Sequence, residues 1–375
     1  VKIRFTRPYV TGRELTYVQE AIRNGRLAGD GPFTKKCAAW LEEYAGCPRA
    51  LLTHSGTGAL EMAVILAGIG PGDEAIMPSY TFVSTANAVV LRGGVPVFVD
   101  VRPDTFNLDE NQVEAAITPR TRAIVPVHYA GVGCEMDALL EIARRHDLVV
   151  IEDAAQGLMA RHRGRPLGGI GHLGALSFHE TKNVVAGEGG ALLVNDPELA
   201  GRAEIIWEKG TNRRQFYRGE VDKYTWVDVG SSFLPGELTA AVLLAQLEAA
   251  EEITARRMEV WDAYHAALAP LEAEGRLRRP VIPPHCTHNA HMYAVLMPDA
   301  AGRTEALRRL NGAGINAVFH YVPLHAAPAG RRYGRVCGDL AQTEAAGERL
   351  LRLPLWPGLP EGCVEEVCRI LGTLP

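Results

Sequence analysis

The sequence predicts an α/β fold with a mostly parallel, helix-covered central sheet and a smaller C-terminal α+β domain. A pattern in the sequence and the rule of connection it obeys predict the sheet. From about Gly56 to Asp196, apolar runs of strand length alternate with runs of helix length. Strands separated in this way are joined by crossovers, and crossovers cover both faces of a parallel sheet. A further observation predicts the smaller domain: 375 residues, 47% of them hydrophobic, are enough for one large core and a second one.

Taken in order, helical "TGALEMAVILAGI" leads to strand "EAIMPS", and helical "TFVSTANAVVLRG" to strand "VPVFVDV". A helix near 109 to 117 precedes "TRAIVPVHYAG", and helix "EMDALLEIARRH" precedes strand "DLVVIEDAA". The pair "GALSFHE" and "GGALLVND" is separated only by a glycine-bearing loop, which predicts an antiparallel return. Glu237 to about Leu271 reads as one or two long helices, and beyond them "NAHMYAVLM", "GRTEALRRLNGAG", "TEAAGERLLRLPL" and "CVEEVCRILGTL" form the later elements. The expected division is a large domain over residues 1–250 and a small one over 251–375.

A net charge of −5, with no long run of one sign, offers no field for nucleic acid or anionic lipid. No stretch is apolar for the length of a membrane span, and the first residues lack the apolar core of a signal peptide, so a cytoplasmic protein is expected. The seven cysteines are scattered and never spaced as CxxC, which predicts reduced thiols. "HCTHNAH", with His285, Cys286, His288 and His291, has metal-ligand types but no carboxylate or second cysteine pair. It reads as a histidine-rich loop, and no metal is expected.

Three stretches carry candidate chemistry. In "THSGTGALEMA", Ser55, Gly56, Thr57 and Gly58 stand where a turn becomes a helix, so free amides and the helix dipole suit a phosphate; Ser and Thr there are also ordinary N-caps. In "VVIEDAAQG" an apolar strand ends on Asp153, which calls for a cationic partner, a metal or an N-cap role, with Gln156 three residues on. In "SFHETKN", Lys182 follows a strand end; a lysine in an apolar pocket loses its proton readily and attacks carbonyls. A phosphate cup, then an Asp, then a Lys is the order in which pyridoxal phosphate would find its partners.

The order "SGTGAL…PSYTFVSTANA…EDAAQ…SFHETKN…GEGGAL" resembles the sugar-nucleotide aminotransferases of the DegT/StrS type, a branch of the fold-type I (aspartate aminotransferase-like) pyridoxal phosphate enzymes. The likeness runs over nearly the full chain. "SFHETKN", "EKGTNRRQFYRGEVDKYTWVDVGSSFLPGEL" and "HYVPLH" are most similar to the TDP-4-oxo-6-deoxyglucose 4-aminotransferases. The resemblance implies that Lys182 holds the cofactor covalently and, once displaced, shuttles a proton. It implies that Asp153 pairs with the pyridinium nitrogen, that Gln156 approaches the phenolic oxygen, and that Tyr80 lies against the ring. Ser55, Gly56, Thr57 and Ser177 would hold the phosphate. Many relatives carry an Asn that reaches the cofactor phosphate of a neighbouring subunit; here Ser232 takes that place and Leu234 replaces a nearby Arg. A homodimer with a shared active site is still implied. Substrate contacts would come from His179, Lys209, Asn212, Arg213, Arg214, His320, Tyr321 and His325, arginines being suited to a diphosphate.

The implied reaction passes an amino group from L-glutamate, through pyridoxamine phosphate, to the C4 ketone of a TDP-4-oxo-6-deoxyhexose, giving a TDP-4-amino-4,6-dideoxyhexose. A dehydratase of the same family would carry His at the lysine position, a binding protein on this scaffold would not need both Asp153 and Lys182, and a nicotinamide dehydrogenase would show GxGxxG near its start.

Overall fold

The computed structural model describes residues 2–374. Strands β1 (Arg49–Thr53), β2 (Glu74–Pro78), β3 (Val95–Val99), β4 (Thr121–Ile124) and β5 (Val149–Asp153) are followed by a two-rung hairpin, β6 (Arg161–His162) and β7 (Arg165–Pro166). Next come β8 (Leu173–Ser177) and β9 (Gly190–Val194), and then the C-terminal strands β10 (Cys286–Thr287), β11 (Tyr293–Leu296), β12 (Val318–Phe319), β13 (Arg335–Val336) and β14 (Leu350–Leu353). The main sheet has eight strands in the order β1-β9-β8-β5-β4-β2-β3-β13. Every pairing from β8 to β13 along that order is parallel, while β9 runs antiparallel to both β8 and β1, so the expected return is present.

Burial on both faces explains the uninterrupted apolar strands. Leu51 and Leu192 point into the core under helices Gly56–Leu66 and Pro197–Trp207, whereas Leu52 and Leu193, one residue on, point into the opposite core under Pro32–Ala45 and Glu237–Leu247. Helix Gly56–Leu66 is buried nearly all round, which accounts for "ALEMAVIL" having only one charged residue. No helix among the described residues is long and apolar enough to cross a membrane.

A separate core gathers residues between Trp261 and Leu374 around the sheet β11-β14-β12, and we propose on that ground a division near residue 250. Helix Ala250–Ala267 spans the division, since Ile253 belongs to a core of the large sheet and Trp261 and Tyr264 to the smaller one. Three crossings tie the two parts. Strand β13 extends the main sheet beside β3, β10 pairs with β6, and Ile3 bridges Ile315 on the C-terminal core.

Candidate active site

The carboxyl ends of β1, β5 and β8 meet the amino end of β9, and parallel sheets bind ligands at this edge. A cavity of about 600 Å³ opens there, closed on its far side by residues from the C-terminal core. It brings together Ser55, Gly56, Thr57 and Ser177 at one end, and Asp153, Gln156 and Lys182 along the floor. His179, His320 and Tyr321 complete the expected residues in its wall.

Each of these is placed by its local backbone. Ser55 caps helix Gly56–Leu66 by accepting from the amide of Gly58 at 3.0 Å, which leaves the first-turn amides of Gly56 and Thr57 without intrahelical acceptors. Thr57 Oγ1 meets Ser84 Oγ at 2.7 Å. Glycine is required at 56, where an added Cβ would lie 2.8 Å from the Cβ of Ser177, and at 190, where it would lie 2.4 Å from the backbone of Ser55. The helix start can therefore sit directly on the ends of β8 and β9.

Asp153, 5% exposed, ends β5. Its Oδ2 accepts from Thr85 Oγ1 at 2.7 Å, and Thr85 Oγ1 lies 2.9 Å from Thr81 Oγ1. Oδ1 accepts from the amide of Ala155 at 3.2 Å. Gln156 Oε1 accepts from the amide of Ala130 at 2.7 Å, and its Nε2 donates to Tyr321 Oη at 3.3 Å. Burial pushes the Lys182 ammonium down to about 8, the nearby charge of Asp153 opposing and Arg352 adding to the shift. His179 is held by Thr181 Oγ1 at 2.9 Å.

The C-terminal core supplies the opposite wall. His320 Nδ1 meets Tyr129 Oη at 3.1 Å, and His291 Nδ1 meets Asn183 Oδ1 at 3.0 Å. Both rings are held well below the usual histidine range, by burial first and by the cations Arg352 and Lys182 next to them. Neutral imidazoles therefore face the cavity. Arg257 spends its donors on the carbonyls of Ala290, His291 and Leu355. Arg352, in contrast, has an unpartnered, buried Nε, and the groups that favour its charge are the hydroxyls of Tyr129, Tyr321 and Tyr80 rather than a carboxylate. On β14 its neighbours Leu351 and Leu353 face the core, so alternation aims Arg352 at the cavity, where its guanidinium lies 4.6 Å from the centre of the Phe5 ring.

Several expected residues are elsewhere. Tyr80 does not offer a ring face to the cavity: it is fully buried behind Tyr321, 5.6 Å between ring centres. Phe82, two residues on and 58% exposed, presents its ring there instead. Arg214 is not free for a diphosphate, because it binds Glu204 at 3.0 Å and Asp30 at 2.7 Å over the face of Trp207. Arg213 binds Glu208 at 3.1 Å, and Asn212 Oδ1 accepts from the amide of Thr225 at 2.7 Å. His325 is held between Ser79, at 2.8 Å, and Glu344, at 3.4 Å. Lys209 and Ser232 are exposed and also lie outside this chain's cavity. Of the histidine-rich loop, only His291 lines the cavity; His288 packs on Trp261 at 4.3 Å, and burial lowers it to about 4. Sequence reasoning missed Phe82, Thr85, Asn183, His291 and Arg352.

The residues present fit pyridoxal phosphate: a helix start with free amides, a buried carboxylate at the strand end, and a deprotonable lysine between them. Comparison with known proteins agrees with the geometry. The chain is 36% identical to the GDP-perosamine synthase of Caulobacter vibrioides over 375 residues, which is 99% of this chain and 97% of that one. Among solved structures, the aminotransferase TlmJ from Streptoalloteichus hindustanus superposes with a TM-score of 0.89 at 34% identity, covering 98% of this chain and 97% of its own. The putative sugar aminotransferase Spr1654 from Streptococcus pneumoniae, solved in a PLP-form, gives a TM-score of 0.90 at 26% identity over 100% of this chain and 98% of its own. The DegT/DnrJ/EryC1/StrS aminotransferase family matches residues 8–372, and the chain belongs to that family.

Proposed function

We propose that the protein is a pyridoxal phosphate-dependent sugar aminotransferase that moves an amino group from L-glutamate to the C4 ketone of a TDP-4-oxo-6-deoxyhexose. The observation that carries the reading is the convergence of Lys182, Asp153 and the helix start at Gly56 on one cavity in a chain of an aminotransferase family. When bound, the cofactor would take the amino group from the donor, pass it to the sugar, and accept electron density from the carbon that loses its proton.

The protein's own residues do the rest. The amides of Gly56 and Thr57, with Ser55 and Ser177, hold the phosphate, and Phe82 covers the ring. Asp153, fixed by Thr85, keeps a positive charge on the ring nitrogen. Gln156, fixed by the amide of Ala130, stands toward the phenolic oxygen. Lys182 Nζ, lowered to about 8, is neutral often enough to take the proton from the donor carbon and to return one on the sugar side. Arg352 meets the donor carboxylate, since it is the lining cation whose Nε lacks a partner in a wall of neutral histidines. His179, His320 and Tyr321 border the space left for the sugar.

The choice of TDP and C4 rests on the likeness of "SFHETKN", "EKGTNRRQF" and "HYVPLH", while the Caulobacter relative is named for a GDP-linked product. An absorbance experiment separates these. Protein loaded with pyridoxal phosphate is expected to lose its visible band with L-glutamate and regain it with TDP-4-oxo-6-deoxyglucose. Recovery only with the corresponding GDP-linked sugar would replace the nucleotide, and failure to bind the cofactor at all would end the aminotransferase reading.

A further inference from the structure

A second cluster of ligand-type side chains lies apart from the cavity. Glu135 precedes helix Met136–His146, His162 ends the short strand β6, and His285 precedes β10, which pairs with β6. One ligand atom from each of the three lies within 4.8 Å of the other two. Glu135 divides its carboxylate between the rings: Oε1 is 2.9 Å from His285 Nε2, and Oε2 is 3.8 Å from His162 Nε2. The two rings meet edge to face with centres 5.2 Å apart.

His162 is the residue that ordinary packing does not explain. Its side chain is fully buried, yet neither ring nitrogen has a hydrogen-bond partner. A buried polar atom left without a partner costs about 1–3 kcal/mol. At 3.8 Å, Glu135 Oε2 is too far to accept from Nε2 but close to the separation, about 3.3 Å, of two ligands on one tetrahedral zinc ion. Glu135 and His285 remain 25% and 24% exposed, which leaves a side open for a water ligand and a path for the ion.

We propose that Glu135, His162 and His285 form a divalent transition-metal site, suited to Zn²⁺, with water as the fourth ligand. It joins three segments that the sequence places far apart: the start of the helix at 136, the 161–166 hairpin and the strand 286–287. The site is structural. None of its three ligands lines the cavity, and it requires no change in the reaction proposed above.

The test uses holoprotein dialysed against EDTA and then equilibrated with Zn²⁺, with bound metal counted by atomic absorption and the thermal midpoint recorded. Glu135→Gln and His285→Gln remove partly exposed ligands and leave the packing in place; the cofactor band checks that each variant is folded. The expected result is one Zn²⁺ per chain, a raised midpoint on binding, and affinity at least about tenfold weaker in both variants. No retained zinc, or zinc retained with wild-type affinity by either folded variant, overturns the proposal.

Discussion

At the scale of single residues, the site depends on how Lys182 is kept reactive. An amine with a pKa of about 8 is neutral in roughly a quarter of molecules at pH 7.5, against about 0.1% for an ordinary lysine. Burial favours the neutral form and Asp153 the charged one, so the two causes have opposite signs. In protein freed of cofactor, the rate at which added pyridoxal phosphate forms a visible band should rise with pH and level off just above 8. In Asp153→Asn the rise should move to lower pH, because the group that holds the proton on Lys182 is gone. A rate still climbing toward pH 10 in the wild-type protein would show that Lys182 is not held as the geometry implies. The residues beside Lys182 were unequally legible. Lys182 and Asp153 stand out in sequence because ionisable groups at the ends of apolar strands need a reason. Tyr80 came from the resemblance alone, and Phe82 was missed because the bend over residues 79–81 after β2 decides which ring faces the cavity. Arg352 arrives from the C-terminal core and leaves no local pattern, and His291 stood out only as one member of a histidine-rich loop.

At the scale of elements, strand β5 does two things with adjacent carboxylates. Asp153 faces the cavity, and Glu152, fully buried on the other side, holds the loop that leads into β8. Glu152 accepts from the amides of Gly168, Ile170 and Gly171 at 2.8, 2.7 and 2.6 Å and from His128 Nε2 at 2.8 Å. Burial alone would raise its pKa, but these donors outweigh burial and hold it below the usual carboxylate value. A carboxyl lowered in the folded state adds stability above its unfolded pKa, and that stability disappears as pH falls through the folded one. Glu152→Gln should therefore lower stability by about 3 kcal/mol at pH 7, and the gap to wild type should shrink below about pH 4. Urea unfolding of both proteins at the two pH values measures it; a gap undiminished in acid would mean that shape, not charge, is what Glu152 contributes. The strands flanking this one were readable as short apolar runs bounded by turn residues, and β8 and β9 by the glycine loop between them. Strand β1, "RALLT", escaped notice because it runs directly into "HSGTGAL". Strands β6, β7, β10, β12 and β13 have two residues each, too few for any period, and exist only because a partner strand is in place.

At the scale of the whole molecule, the chain carries a surface that its own fold does not use. Trp226 is 79% exposed, Leu91 68%, Tyr217 65% and Phe82 58%, and exposed Tyr217 and Tyr224 both pack on the Phe216 ring with centres 5.8 Å apart, a grouped apolar exposure that suits a contact surface. Lys209 and Ser232, which the resemblance assigns to substrate and cofactor respectively, lie outside this chain's cavity. Both facts fit a homodimer in which the segment around 209–232 serves the partner's site, and a two-fold dimer would make two such shared sites. The exposed tryptophan and Phe82 would then be covered on association, and Phe82 would line a cavity closed by the second subunit. Arg213 and Arg214 keep a role in this arrangement as struts, since their ion pairs with Glu208 and Glu204 fix the segment to helix Pro197–Trp207. Complementation between two inactive chains tests the idea. Lys182→Ala removes the lysine, and Ser232→Arg would fill the space that the resemblance places next to the partner's phosphate. If each site takes Lys182 from one chain and Ser232 from the other, an unfolded and refolded equal mixture should recover roughly a quarter of wild-type activity, because half the dimers are mixed and each has one intact site. If every site is built from a single chain, the Ser232→Arg protein keeps its activity unmixed, and mixing it with Lys182→Ala adds nothing.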